Sequence, residues 1–298
     1  MRNEEFAHIG TGEILTGQQI LIETLQEQQE AHNRKVAGLN KRKSKESFNV
    51  AVNEHLGSFN FSHYKEVLEL MKTDKGEFDG ALAFRFIYLS TFMDFENNLR
   101  WGQSFRDKDR GYMREKDLGE VLGISRPHVI KFKQRLIELN IITIDSQIGR
   151  MNINIRFCHK GKIKNSLKGQ SVRVFEDGIQ NIYRNSRPVE HSRLGIFIQL
   201  LPFLSTQHNV LCINVEEERA GNIVPLSIQD ICTIVGHNVK NARRLENELI
   251  KTTVGQEPVM MKHRHNFADV YSINPKVFYK GNDIESLQAL INLFSIKM

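Results

Sequence analysis

Cysteine is scarce: Cys158, Cys212 and Cys232 are the only three in 298 residues. They stand far apart with no CxxC pair, so neither a disulfide framework nor a zinc knuckle is supported. A reducing interior is the expected compartment. Long apolar runs are missing as well. The most apolar stretch, Leu194 to Leu204, is broken by Gln199 and Pro202 and falls far short of the roughly 20 residues of a bilayer-spanning helix, so no membrane partner is expected. Residues 1–10 hold Glu4 and Glu5 and no apolar core, which does not fit a secretory leader. There is no GxxxxGK[ST] and no GxGxxG, so no nucleotide-driven motor is visible. The expectation is a cytoplasmic protein without cofactor or metal.

What is present is a modest excess of base, 41 Lys+Arg against 35 Asp+Glu, a net charge of +6. The excess is clustered. Arg34 to Lys45 holds six basic residues and no acidic one, and His159 to Lys168 holds four lysines, a histidine and no acidic residue. Clustered positive charge suits a polyanionic partner, and basic arms add phosphate contacts to nucleic-acid binding. The bland alternative for both runs is a solvated linker. The length suggests about two domains.

The chain repeats itself at a spacing of 113 residues. Segment 116–139, KDLGEVLGISRPHVIKFKQRLIEL, and segment 227–251, SIQDICTIVGHNVKNARRLENELIK, share one pattern. Leu118 falls on Ile231, Gly119 on Cys232, Leu122 on Val235, Gly123 on Gly236, Phe132 on Leu245 and Leu136 on Leu249. Similar segments precede each. Gly80 to Asp94 and Ser192 to Ser205 are apolar helix candidates, and before them Phe59 to Met71 and Val172 to Tyr183 run into helical patterns. Such a period is too long for a solenoid and implies two copies of one domain.

In each copy a short helix, a glycine and a second helix follow at fixed spacing, the signature of a helix-turn-helix. Gly119 and Cys232 are small, as a close helix crossing would need, and Gly123 and Gly236 supply the positive φ that ends a helix. Leu118, Val121, Leu122, Ile124, Val129, Phe132 and Leu136 fall on the core side. The second helix of copy one has Ser125 as N-cap and Pro127 in its first turn. Its outer side carries Arg126, His128, Lys131, Gln134 and Arg135, with no carboxylate before Glu138. In copy two Asn238 caps, and Lys240, Asn241, Arg243, Arg244 and Asn247 take the outward positions. These side-chain types hydrogen-bond guanine and adenine edges in the major groove. Each second helix leads into β character. Ile141 to Ile144 and Met151 to Phe157 flank a polar turn, and Val259 to Met261 pairs with Asp269 to Ile273. Lys262, His263, Arg264 and His265 stand at the expected tip of this second hairpin, placed to reach phosphates or a minor groove.

From Phe59 to Phe157, and again from Val172 to Tyr279, the sequence resembles the winged-helix proteins of bacterial plasmids and phages, a group that includes replication initiators and transcription regulators. The resemblance covers about 57–281 and implies DNA binding. One departure is His237, equivalent to Ile124, where that group usually has an aliphatic residue. The resulting expectation is a mainly α protein with small β-hairpins (α+β) built as two tandem winged helix-turn-helix domains. An N-terminal arm, partly helical with a basic linker, covers 1–56; the domains cover 57–169 and 170–281; a C-terminal helix covers 282–298.

The function expected is sequence-specific binding of double-stranded DNA at bipartite sites, as a nucleoid-associated phage or plasmid transcription regulator with contacts to polymerase. The alternatives are a plasmid or phage replication initiator that binds origin repeats and engages the replisome, and a winged-helix protein-interaction scaffold. Within 13–31, Ile14, Leu21, Ile22 and Leu25 follow a near-helical spacing, as do Ile284, Leu287, Leu290, Ile291 and Phe294 at the other end. Packing on the chain's own domains is the default for both, and homodimerisation through the C-terminal helix is the alternative. His263, His265 and Tyr271 invite comparison with nicking enzymes. Arginine between the histidines and the lack of a paired acidic ligand make a wing tip the better account, and no catalytic role is expected.

Overall fold

A computed structural model describes residues 5–7, 14–16, 30, 33–37, 46–73, 78–102, 111–161, 171–265 and 268–296. Two compact units are distinguished, Met1–Ala51 and Val52–Met298. In the first, β1 (Glu5–Ala7) pairs antiparallel with β2 (Ile14–Thr16), Glu5 opposite Thr16. Ile14–Thr16 is therefore a strand, where the apolar spacing of 13–31 predicts helix; the remainder of that segment, apart from residue 30, lies outside the described residues. So do 38–45 of the first basic run and 162–168 of the second. Residues 33–37 are helical, and a helix α1 covers 46–56.

The second unit is a mixed α+β body with small antiparallel sheets, and its element order runs twice. The first pass has β3 (Phe59–Ser62), α2 (Tyr64–Thr73), α3 (Gly80–Ser90), α4 (Leu118–Leu122), α5 (Arg126–Glu138), the hairpin β4 (Ile142–Ile144) and β5 (Met151–Ile153), and β6 (Cys158–His159). The second has β7 (Val172–Phe175), α6 (Glu176–Arg184), α7 (His191–Gln199), α8 (Ile228–Ile234), and a 3-10 turn Val239–Asn241 that runs into α9 (Ala242–Ile250). It continues with β8 (Thr253–Val254), β9 (Glu257–Pro258), the hairpin β10 (Met260–His265) and β11 (Ala268–Ile273), β12 (Phe278–Tyr279) and α10 (Ile284–Ser295).

The repetition extends to single hydrogen bonds. Asn97 and Asn209 both adopt left-handed backbone, φ 64° and 52°, a conformation asparagine tolerates better than most residues. The Asn97 carboxamide donates to Ile153 O at 3.1 Å and Cys158 O at 2.8 Å; that of Asn209 donates to Ile273 O and Phe278 O, both at 2.8 Å. In each pass this one side chain clips the returning hairpin strand to the short strand after it. The turn between them is also shared: Asn154 Oδ1 accepts from Arg156 N, and Asn274 Oδ1 from Lys276 N, each at 3.0 Å. These turns explain why the first hairpin strand ends at Ile153 rather than running on to Phe157.

The two passes are joined rather than strung apart. β3 and β7, just ahead of the helical patterns that end their segments, are strands that pair in a four-stranded sheet of order β12-β7-β3-β6. Their antiparallel register sets Phe59 opposite Phe175 and Ser62 opposite Val172. A shift of 113 residues carries Phe59 onto Val172 and Ser62 onto Phe175, so the register maps onto itself when the passes are exchanged. That relation is a local two-fold axis between β3 and β7. α3 also meets α7 at small residues: a Cβ on Gly195 would lie 2.2 Å from Gly80 O, and one on Gly80 would lie 2.6 Å from Ser192 O. One hydrophobic core then runs through both passes, from Val67, Phe86 and Leu99 to Ile179, Leu201 and Tyr271. In α10, Leu287, Leu290 and Phe294 are buried, and Asp283 caps its start by accepting from Ser286 N at 2.7 Å. Of the apolar face considered for homodimerisation, Leu287, Leu290 and Phe294 are thus covered within the chain, while Ile284 is exposed. No helix among the described residues is long and apolar enough to cross a membrane.

Candidate nucleic-acid interface

Each pass presents one helix after a glycine turn. Gly123 closes α4 in left-handed backbone, φ 58° and ψ 28°, and its N–H returns to Gly119 O. Gly236 does the corresponding job after α8 with φ 67°. Both glycines are used as the sequence predicts. Gly119 is not: a Cβ there would meet nothing within 4 Å, so no close helix crossing demands its small size. Cys232 is buried. In α5 the buried positions are Val129, Phe132 and Leu136, and in α9 they are Ala242, Leu245 and Leu249. The two sets are offset by the repeat spacing, so the two helices face the core in the same phase.

Ser125 holds the extended N-cap conformation of α5, but its hydroxyl meets His128 Nδ1 at 2.7 Å instead of capping a backbone N–H. Pro127 stands in the first turn. Arg126, His128, Lys131 and Gln134 are exposed. Arg135 is not an outward residue: its side chain is 17% exposed and paired with Glu138 at 3.0 Å. Gln134 also donates to Glu138, at 3.0 Å. Lys133, on the flank of the helix, pairs with Glu115.

In the second pass Asn238, Lys240, Asn241, Arg243, Arg244 and Asn247 are all exposed. Asn238 caps the 3-10 turn by accepting from Lys240 N at 2.9 Å. Arg244 pairs with Glu248 at 3.0 Å, and Glu248 also lies 3.9 Å from Arg193. Arg126 and Lys131 in the first pass, and Lys240 and Arg243 in the second, have no carboxylate partner among the described residues. Exposed cations without local partners keep their charge available to an external anion.

The second hairpin departs from the expectation at Lys262. The residue is in β10 opposite Tyr271, not at the tip, and its Nζ lies 2.8 Å from both Glu246 and Asp269. Hydrogen bonds that its ammonium donates to Asp269 and Glu246 hold its pKa above the usual lysine range. This charge is spent inside the protein. Arg264, further along β10, is exposed. Tyr271 is fully buried, its hydroxyl bonded to Glu246, and burial pushes its pKa up; a nucleophile would need the opposite. His237 occupies the place of Ile124, and its Nε2 is buried without a hydrogen-bond partner.

Three outward residues, Ile130, Ile137 and Val239, escaped the sequence reading. Ile130 is 49% exposed and Val239 is 46% exposed, and both lie among the free cations. The signal was available for Ile130, because Val129, Phe132 and Leu136 already fix the buried phase of α5 and Ile130 lies off it. Comparison with protein-family models, with curated proteins and with solved structures finds no match to this chain.

Proposed function

We propose that the chain is a sequence-specific duplex DNA-binding protein built as two winged helix-turn-helix domains, at 57–169 and 170–281, with α5 and the Val239–Ile250 segment as reading helices. The observation that carries this reading is the pair of glycine turns delivering two equivalent helices whose outer faces keep Arg126, Lys131, Lys240 and Arg243 unneutralised. The local two-fold axis between β3 and β7 supports a bipartite target with inverted half-sites, as two-fold proteins read two-fold operators. Both heads belong to one body, so engagement of the first raises the effective concentration of the second.

Regulation of transcription is the role proposed for this binding, and origin recognition is the rival use of the same surface. The test is retention of a random duplex library by the full chain, followed by a salt titration of the retained sequence. Affinity should fall steeply and linearly on logarithmic axes as phosphate contacts release counterions. A chain that retains no duplex would overturn the reading in favour of a protein-interaction scaffold. Mapping bound sites in cells then separates the roles, with promoters on one side and tandem repeats beside an AT-rich segment on the other.

A further inference from the structure

The outer faces of the two reading helices carry the same three chemistries in a different order. At i, i+4 and i+8 along α5 stand Arg126, Ile130 and Gln134; at the equivalent positions of the second pass stand Val239, Arg243 and Asn247. All six side chains are exposed. The equivalence does not rest on alignment alone, since the buried phase of the two helices coincides under the same offset. At these three positions each helix therefore has one arginine, one β-branched aliphatic and one carboxamide, with arginine and aliphatic exchanged between the passes.

These chemistries are distinct in a major groove. Arginine pairs bidentately with guanine O6 and N7, a carboxamide with adenine N6 and N7, and an apolar side chain meets the thymine methyl. Single exposed aliphatics are ordinary on protein surfaces. Here Ile130 and Val239 stand beside free cations, at places where the two-fold relation sets Arg243 and Arg126. Resting on the DNA-binding reading above, we infer that the target is an imperfect inverted repeat: where one half-site carries guanine the other carries thymine, and at the neighbouring contacted position the order reverses. Ile130 and Val239 are the specificity residues that read the two thymine methyl groups, Arg126 and Arg243 the two guanines.

Selection of the full chain on a random duplex library, followed by deoxyuridine replacement of single thymines in the selected duplex, tests this. Deoxyuridine removes the methyl and nothing else. Loss of the methyl facing Ile130 should weaken binding about fourfold, from about 0.8 kcal/mol per apolar carbon buried, and the loss should vanish in Ile130→Ala. The double substitution Arg126→Val with Ile130→Arg gives α5 the order of the second pass, and should turn the selected site into a symmetric inverted repeat at these positions. Selected half-sites that are already symmetric, or affinity indifferent to every deoxyuridine, would overturn the exchange while leaving DNA binding intact. Failure to select any duplex would overturn the underlying reading instead. The deoxyuridine series uses the unaltered protein, so it decides the matter whether or not the double variant folds.

Discussion

The hydroxyl of Tyr183 donates to the carbonyl of Leu122 at 2.8 Å, so a side chain from the second pass satisfies the end of α4 in the first. Beside it Tyr88 donates to Val121 O at 3.1 Å, and the two rings stack with centroids 3.6 Å apart. Burial pushes both phenols above their ordinary range, which keeps them neutral donors. The carbonyls they satisfy immediately precede Gly123 and the turn that aims α5. Orientation of α5 is thereby tied to the junction between the passes.

Tyr183→Phe removes one buried hydrogen bond and leaves a helix-end carbonyl unpaired. The expected cost is about 1–2 kcal/mol in chemical denaturation, with a larger loss of affinity on the half-site read by α5 than on the other. Equal weakening of both half-sites would show that the tyrosine serves stability alone.

The close approach of α3 and α7 predicts strong intolerance at its centre. Gly195→Ala places a methyl 2.2 Å from Gly80 O, a clash with backbone that no side-chain rotation relieves. Overpacking of this kind costs about 1–3 kcal/mol or more, and because the core is continuous both passes should unfold in one transition at a lower midpoint. Two separated transitions would contradict a single body. As a control, Gly119→Ala has open space and should raise helix stability slightly.

Asn97 and Asn209 give a prediction of symmetry. Replacement of either by alanine removes two carboxamide hydrogen bonds to backbone carbonyls and leaves an alanine in left-handed backbone. Each should cost about 2–4 kcal/mol, and the two variants should be alike. Substitution by glycine recovers only the backbone part. Denaturation midpoints measured side by side would expose any inequality between the passes.

His191 makes stability depend on pH. Its Nδ1 accepts from Arg85 Nε at 3.1 Å, its Nε2 is buried without a partner, and burial, aided by the charge of Arg85 and opposed by Glu190, lowers its pKa to about 4. An imidazole that is harder to protonate in the folded chain than at its ordinary value near 6.5 lets the unfolded chain take up the proton first. Its contribution is therefore complete above about pH 6.5 and is lost as the pH falls towards 4. Wild type should lose on the order of 2–3 kcal/mol more than His191→Gln across that window. Parallel curves for the two proteins would remove the histidine from the account.

Much of each helix–glycine–helix segment was legible in the sequence because local rules govern it. Gly123 and Gly236 announce positive φ, Pro127 marks a helix start, and Leu118, Val121, Leu122, Phe132 and Leu136 repeat with helical period. What joins the passes was not legible. β3 and β7 are four residues each, too short for alternation to register, and each is stabilised by a partner more than a hundred residues away. The same limit applies to charge. Lys262 looks like a free cation in one dimension, and only packing brings Glu246 and Asp269 against it, whereas Glu248 stands four residues beyond Arg244 on the same helix.

The most direct measurement is the affinity of the full chain for its selected duplex across a range of salt, beside Arg126→Ala, Arg243→Ala and the pair combined. Each single substitution should cost on the order of 1–3 kcal/mol and lower the salt slope only slightly, while the pair should leave weak binding that is insensitive to sequence. An affinity unmoved by both substitutions and by salt would contradict the account at its centre.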